Sequence, residues 1–198
     1  MDFRGMVIIM MSAVLVNNYV LRKFLGVCPF LGVSKDLKSS VGMGVAVMFV
    51  MLMAASVTWP IHRFLLEANG LGFMRTVVFI LVIATLVQIV EIVLKKYIPA
   101  LYDSLGVYLP LMTTNCAVLA VTISNVSSEF TFAQAMVNAF GSGLGFLLAM
   151  VLFTSVRGQT DSAEPPESFK GMPLTLISAA ILSLAFFGFE GVIENLLS

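Results

Sequence analysis

The chain of 198 residues carries 11 Lys and Arg against 11 Asp and Glu, is 59% hydrophobic and only 11% charged, and has a mean hydropathy of +1.02. That composition excludes an ordinary soluble domain, and a neutral balance without a basic tract argues against nucleic acid as a partner. Two cysteines are too few for a disulfide framework.

A bilayer core of about 30 Å needs about 20 apolar helical residues. Runs of that length predict six crossings, at 5–25, 41–60, 73–94, 105–125, 133–156 and 171–194. Helices are expected because each can satisfy its backbone polar groups within its own segment, and the alternating pattern of a membrane barrel is absent. The first run opens MDFRGMVIIMMSAVLV, which has the look of a signal peptide. It is followed by Asn17-Asn18 and Arg22-Lys23 rather than by a small-residue cleavage site, so it reads as a retained helix. The third run closes on Lys95-Lys96, with Glu91 one turn earlier as an i,i+4 partner for Lys95. RGQTDSAEPPESFK (157–170) is the longest polar loop, and Pro165-Pro166 marks it as a connector. With six crossings, Arg4, Arg63 and Arg75 fall on one side. Arg22, Lys23, Lys35, Lys38, Lys95, Lys96, Arg157 and Lys170 fall on the other, which is therefore cytoplasmic, with both termini outside the cytoplasm.

Two segments repeat. GVCPFLGVS (26–34) returns as TNCAVLAVT (114–122), matching Cys28 to Cys116, Leu31 to Leu119 and Val33 to Val121. VGMGVAVMFVMLMAASV (41–57) returns 99 positions later as FGSGLGFLLAMVLFTSV (140–156), with Gly42, Gly44, Met51, Ser56 and Val57 identical to their counterparts. The same offset carries Gly72, Thr76 and Glu91 onto Gly171, Thr175 and Glu190. The chain thus reads as a single membrane domain, 1–198, made of two halves, 1–98 and 99–198, each with three helices. An odd number inserts the second half from the opposite side, so the fold class expected is an all-α integral membrane protein with two inverted three-helix repeats. Gly26, Pro29, Gly32 and Pro110 predict broken helices at the cysteine motifs, and inversion would bring Cys28 and Cys116 to one central place.

Either cysteine alone would read as a small packing residue. Repeated by internal symmetry beside helix breakers, the pair reads as functional: a redox dithiol, or two thiolate ligands. Two thiolates leave a zinc site or a [2Fe–2S] cluster half complete, so a metal here would need a second chain. Asn115 and Thr114 are placed either to hydrogen-bond between helices or to donate to the sulfurs. The Gly-x-Gly pairs follow no strand and are read as close-approach sites for helices, not as a nucleotide loop. No catalytic constellation is present, and no NAD, flavin or ferredoxin site is legible.

LVNNYVLRKFLGVCPFLGVSK (15–35) and LPLMTTNCAVLAV (109–121) closely resemble the RnfA family, membrane subunits of the Rnf complexes, which are ion-translocating ferredoxin:NAD+ oxidoreductases. FILVIATLVQIVEIVLKKYIPALYDSLG (79–106) and PESFKGMPLTLISAAILSLAFFGF (166–189) look like it too, so the resemblance covers nearly the whole chain. It implies a bacterial or archaeal cytoplasmic (inner) membrane and a homologous partner, RnfE, inserted in the opposite orientation. It implies one intramembrane [2Fe–2S] cluster shared between the two, with Cys28 and Cys116 as this chain's iron ligands and two further cysteines on the partner. It also implies RnfB, RnfC, RnfD and RnfG as further partners, electrons relayed between the cytoplasmic RnfB and the flavin-bearing RnfG, and transport of Na+ or H+. NqrE, from the related Na+-translocating NADH:quinone oxidoreductase, shares this plan, but its first motif usually lacks the VNN and CPF wording. A membrane thiol–disulfide oxidoreductase would want an accessible Cys-X-X-Cys, which is missing.

Overall fold

The structure, a computed structural model, describes residues 3–34, 36–68, 72–97, 115–162, 166 and 169–197. Every regular element among them is helical. α1 (Phe3–Met11) runs into a π-helical turn, Ser12–Val16; α2 is Val27–Val33 and α3 is Leu37–Ile61. A second π-helical turn (His62–Leu66) follows α3, and a single tight turn (Gly72–Met74) leads into α4, Arg75–Tyr97. α5 is Cys116–Ser127, α6 is Phe132–Ser162 and α7 is Met172–Leu197.

Three stretches are long and apolar enough to cross a membrane: Leu37–Leu66, Gly72–Val93 and Phe132–Thr160. They coincide with the expected crossings at 41–60, 73–94 and 133–156. The other apolar helices are shorter, Arg4–Val16, Cys116–Ser127 and Met172–Gly188. At 1.5 Å per residue, the 12 residues of α5 reach only about 18 Å, well short of a hydrocarbon core. The chain is therefore a multi-pass helical membrane bundle, and the run 5–25 is not one helix. It stops at Asn17, whose φ of −95° and ψ of 37° leave the helical region. The half of 105–125 that precedes Asn115 lies outside the described residues.

The centre of the bundle is the pair α3 and α6. Ser40 Oγ meets Thr154 Oγ1 at 2.7 Å, Gly44 faces Leu147, and Gly143 faces Met48, so the two helices run antiparallel. A Cβ on Gly44 would fall 3.2 Å from the Cα of Leu147, and one on Gly143 would fall 2.9 Å from the Cα of Met48. Both glycines are thus needed for backbone approach. The two contacts exchange when every residue number is moved by 99. Around them Met43, Val47, Met51, Phe146, Met150 and Phe153 are wholly buried. α4 lies at the margin and turns apolar side chains such as Leu81 and Ile92 outward, as a lipid-facing helix does.

The segment between α1 and α2 is held against the middle of α6 and α7. Asn18, 1% exposed, accepts from the Val20 and Leu21 N–H groups through Oδ1 and donates from Nδ2 to the Gly145 carbonyl at 2.8 Å. The Ser183 hydroxyl of α7 donates to the Leu21 carbonyl. The buried Asn side chain therefore replaces the helical bonds lost at the break. This moves Arg22 and Lys23 from the expected surface loop to mid-length of the bundle. α2 is fixed at two points on α6: Phe30 stacks on Phe153 with centroids 4.1 Å apart, and Arg157 donates to Leu31 O at 2.8 Å and Ser34 Oγ at 2.9 Å.

Candidate functional site

Each cysteine stands in the first turn of a helix, and the two helices start by different means. α5 begins where Asn115, in extended conformation, caps it: Asn115 Oδ1 accepts the Ala117 N–H at 3.0 Å. Cys116 is then the first helical residue. α2 begins after Gly26, which takes a left-handed φ of +79° and offers no side-chain cap. Cys28 is its second residue and Pro29 its third. A proline in the first turn loses no helical hydrogen bond, but its ring would clash with the carbonyl four residues back, so it fixes where α2 can start.

The two motifs touch. The Gly26 N–H donates to Cys116 Sγ at 2.9 Å, so the residue two before the first cysteine holds the second sulfur. A Cβ on Gly26 would lie 3.1 Å from Asn115 Oδ1, 3.2 Å from Ala117 Cβ and 3.0 Å from Phe146 Cε2. Only glycine permits that approach at that φ. Both thiols are free and exposed on the surface of the chain. The N-terminal end of α5 places Cys116 at the positive end of the helix dipole, with the Ala117 and Val118 N–H groups taken up by Asn115.

Asn115, the other expected site residue, is 4% exposed. Its Oδ1 is taken by the cap, and its buried Nδ2 has no hydrogen-bond partner among the described residues. An orphaned buried donor beside a sulfur site is what an acceptor arriving from outside this chain would satisfy. Thr114 lies outside the described residues. Farther along α5, Asn125 Oδ1 accepts from Asn138 Nδ2 at 2.7 Å and Asn125 Nδ2 donates to Ala135 O at 3.4 Å, tying α5 to α6. Sequence reasoning missed this bridge, and it missed Gly26 as a sulfur donor. The local signal was a glycine read only as a helix breaker.

Among the described residues no three His, Cys, Asp or Glu side chains converge. Two free cysteines, one N–H already on a sulfur and one spare buried amide could supply at most half of a four-cysteine iron–sulfur centre.

The long apolar helices and the two free, exposed cysteines at helix starts define a multi-pass helical membrane protein. Residues 6–193 match the family model for Rnf–Nqr subunits, described as membrane proteins, and the chain belongs to that family. Within it the chain is closely related to RnfA, the A component of the ion-translocating oxidoreductases. It is 48% identical over 187 residues to the A component of the Na+-translocating ferredoxin:NAD+ oxidoreductase complex of Acetobacterium woodii, covering 94% of this chain and 97% of the relative. It is 50% identical over 183 residues to the A component of the proton-translocating ferredoxin:NAD+ oxidoreductase complex of Clostridium ljungdahlii, covering 92% and 95%. The A component of the ion-translocating oxidoreductase complex of Syntrophotalea carbinolica is 48% identical over 192 residues, covering 97% and 100%.

Proposed function

We propose that the chain is the membrane component of an Rnf-type ion-translocating oxidoreductase that supplies Cys28 and Cys116 as two of the four thiolate ligands of an intramembrane [2Fe–2S] cluster. The other two come from a homologous protein, RnfE, and the remaining components RnfB, RnfC, RnfD and RnfG complete the complex. The observation that carries this reading is the Gly26 N–H on Cys116 Sγ at 2.9 Å, with both thiols free and exposed. It joins two motifs whose cysteines are 88 positions apart in the chain, which supports reading them as one half-site.

The cluster, when bound, would supply a one-electron relay near the middle of a hydrocarbon layer about 30 Å thick. The chain's residues do the rest. Cys28 and Cys116 hold iron as thiolates. Gly26 donates to a ligand sulfur, which stabilises added negative charge there. Buried Phe146 and Ala117 close the protein side of the site to water.

We read the fold as six crossings in two inverted three-helix repeats, with α1 and α2 as one broken crossing and α5 inside its counterpart. The exchange-symmetric contacts of Gly44 with Leu147 and Gly143 with Met48, on antiparallel helices, support this. Loop charge supports termini outside the cytoplasm, and it still does so with Arg22 and Lys23 set aside as mid-bundle residues. Relatives of nearly equal identity are named for Na+ in one case and for protons in the other. The shared framework therefore serves either ion.

The test is electron paramagnetic resonance and iron analysis on this chain co-purified with its homologous partner. The wild type should give a signal that appears on reduction, with about two irons per pair. Cys28→Ser and Cys116→Ser should each abolish it. A signal retained in either variant overturns the ligand assignment. An iron-free pair whose thiol titre follows redox state would instead identify a thiol–disulfide oxidoreductase.

A further inference from the structure

Lys23 stands where a lysine is expensive. The segment that carries it is bonded to Gly145, midway along α6, and to Ser183, near the middle of α7. A cation at that depth of a membrane bundle needs compensation, and such residues mark functional sites far more often than surface lysines do. Among the described residues the compensation is incomplete. The Lys23 ammonium lies 4.7 Å from the centroid of the Tyr19 ring, a cation–π contact with no negative charge. It lines a cavity of about 350 Å³ whose other polar walls are Ser12, Asn17, Tyr19, Ser124, Ser128 and Asn138, with no carboxylate among the described residues that line it. Hydroxyls and amides hydrate the ammonium but do not neutralise it.

What lies close by is the sulfur site. Lys23 is three positions before Gly26, so their Cα atoms are at most about 11 Å apart. Gly26 is the residue whose N–H rests on Cys116 Sγ. Phe24, between them, is held at a positive φ of 53°, an uncommon conformation for a bulky side chain. It shows that the turn is shaped against local preference, as turns at functional sites often are.

We propose that Lys23 is an electrostatic positioning residue for the redox centre, its fixed positive charge raising the centre's reduction potential. This inference rests on the proposed function. An iron–sulfur centre on four thiolates is anionic when oxidised and gains one further negative charge when one electron from a reduced iron–sulfur partner converts a ferric ion to ferrous. No bond forms or breaks. A nearby cation in a medium of low dielectric favours the more negative state. The same anionic centre offsets the cost of keeping an ammonium at mid-bundle depth.

The test is a redox titration of the co-purified pair, followed by electron paramagnetic resonance, on the wild type, Lys23→Gln and Lys23→Arg. At the wild-type midpoint, Lys23→Gln should lower the reduced-to-oxidised ratio about tenfold, which is about 59 mV for a one-electron couple. Lys23→Arg, which keeps the charge, should stay within about twofold. Loss of the centre in the glutamine variant with retention in the arginine variant would also support the charge role. An unmoved midpoint in Lys23→Gln overturns the inference while leaving the ligand assignment intact. So does an equal shift, or an equal loss, in both variants. A wild-type pair without iron removes both this inference and the function it rests on.

Discussion

At the crossing of α3 and α6 the two halves of the chain treat each other alike, whereas at the cysteines they do not. Gly44 meets Leu147 as Gly143 meets Met48, and Met51 and Met150 are both wholly buried. At the sulfurs, α2 starts after an uncapped left-handed glycine, and α5 starts under an asparagine cap whose side-chain nitrogen is left without a partner among the described residues. The difference separates two kinds of constraint. Backbone approach at the crossing admits one residue type, so both halves keep it. A helix start near a sulfur can be built several ways, so the halves have diverged there while keeping the sulfur in the first turn.

This comparison can be broken at either place. The largest effect is expected at the crossing: Gly143→Ala drives a Cβ to 2.9 Å from the Met48 Cα and should cost about 3 kcal/mol. Gly44→Ala, with 3.2 Å to the Leu147 Cα, should cost less, and unfolding in mixed detergent micelles would rank them. Equal and negligible losses would mean the glycines are not what sets the approach. Next, Asn18→Ala removes the bonds to Gly145 O and to two backbone N–H groups, at about 2.5 kcal/mol, read by the same assay. Gly26→Ala must adopt φ of +79° against Phe146 and Ala117, costing about 2 kcal/mol in the same assay. The smallest effect is Asn115→Ala. It loses a cap worth about 1 kcal/mol, partly offset in the isolated chain because the unpaired buried nitrogen goes with it. Asn115→Asp, which keeps the cap, would separate the two contributions.

Much of this was legible in the residues. The long apolar runs gave α3, α4 and α6 because a hydrocarbon layer sets a minimum length and admits little else. The Gly-x-Gly blocks 99 apart were legible because only glycine allows such contact between helices. The break at Asn17 was not, since Asn17 and Asn18 sit inside an apolar run and the Asn18 side chain satisfies the broken backbone. The basic pair Arg22-Lys23 looked like the end of a crossing. Its true level depends on Asn18 finding Gly145, a contact across 127 positions that no local pattern encodes. The same holds for Gly26 and Cys116, 90 positions apart.

The clamp of Arg157 over the end of α2 has a mechanical result. α2 is only seven residues long and is fastened to α6 at both its Phe30 stack and its last turn. α5 is fastened to the same helix through Asn125 and Asn138. Both sulfur-bearing helices are therefore passengers on one chassis. If the marginal helix α4 swings, both cysteine-bearing helices stay with α6, so the spacing between Cys28 and Cys116 is insulated from that movement.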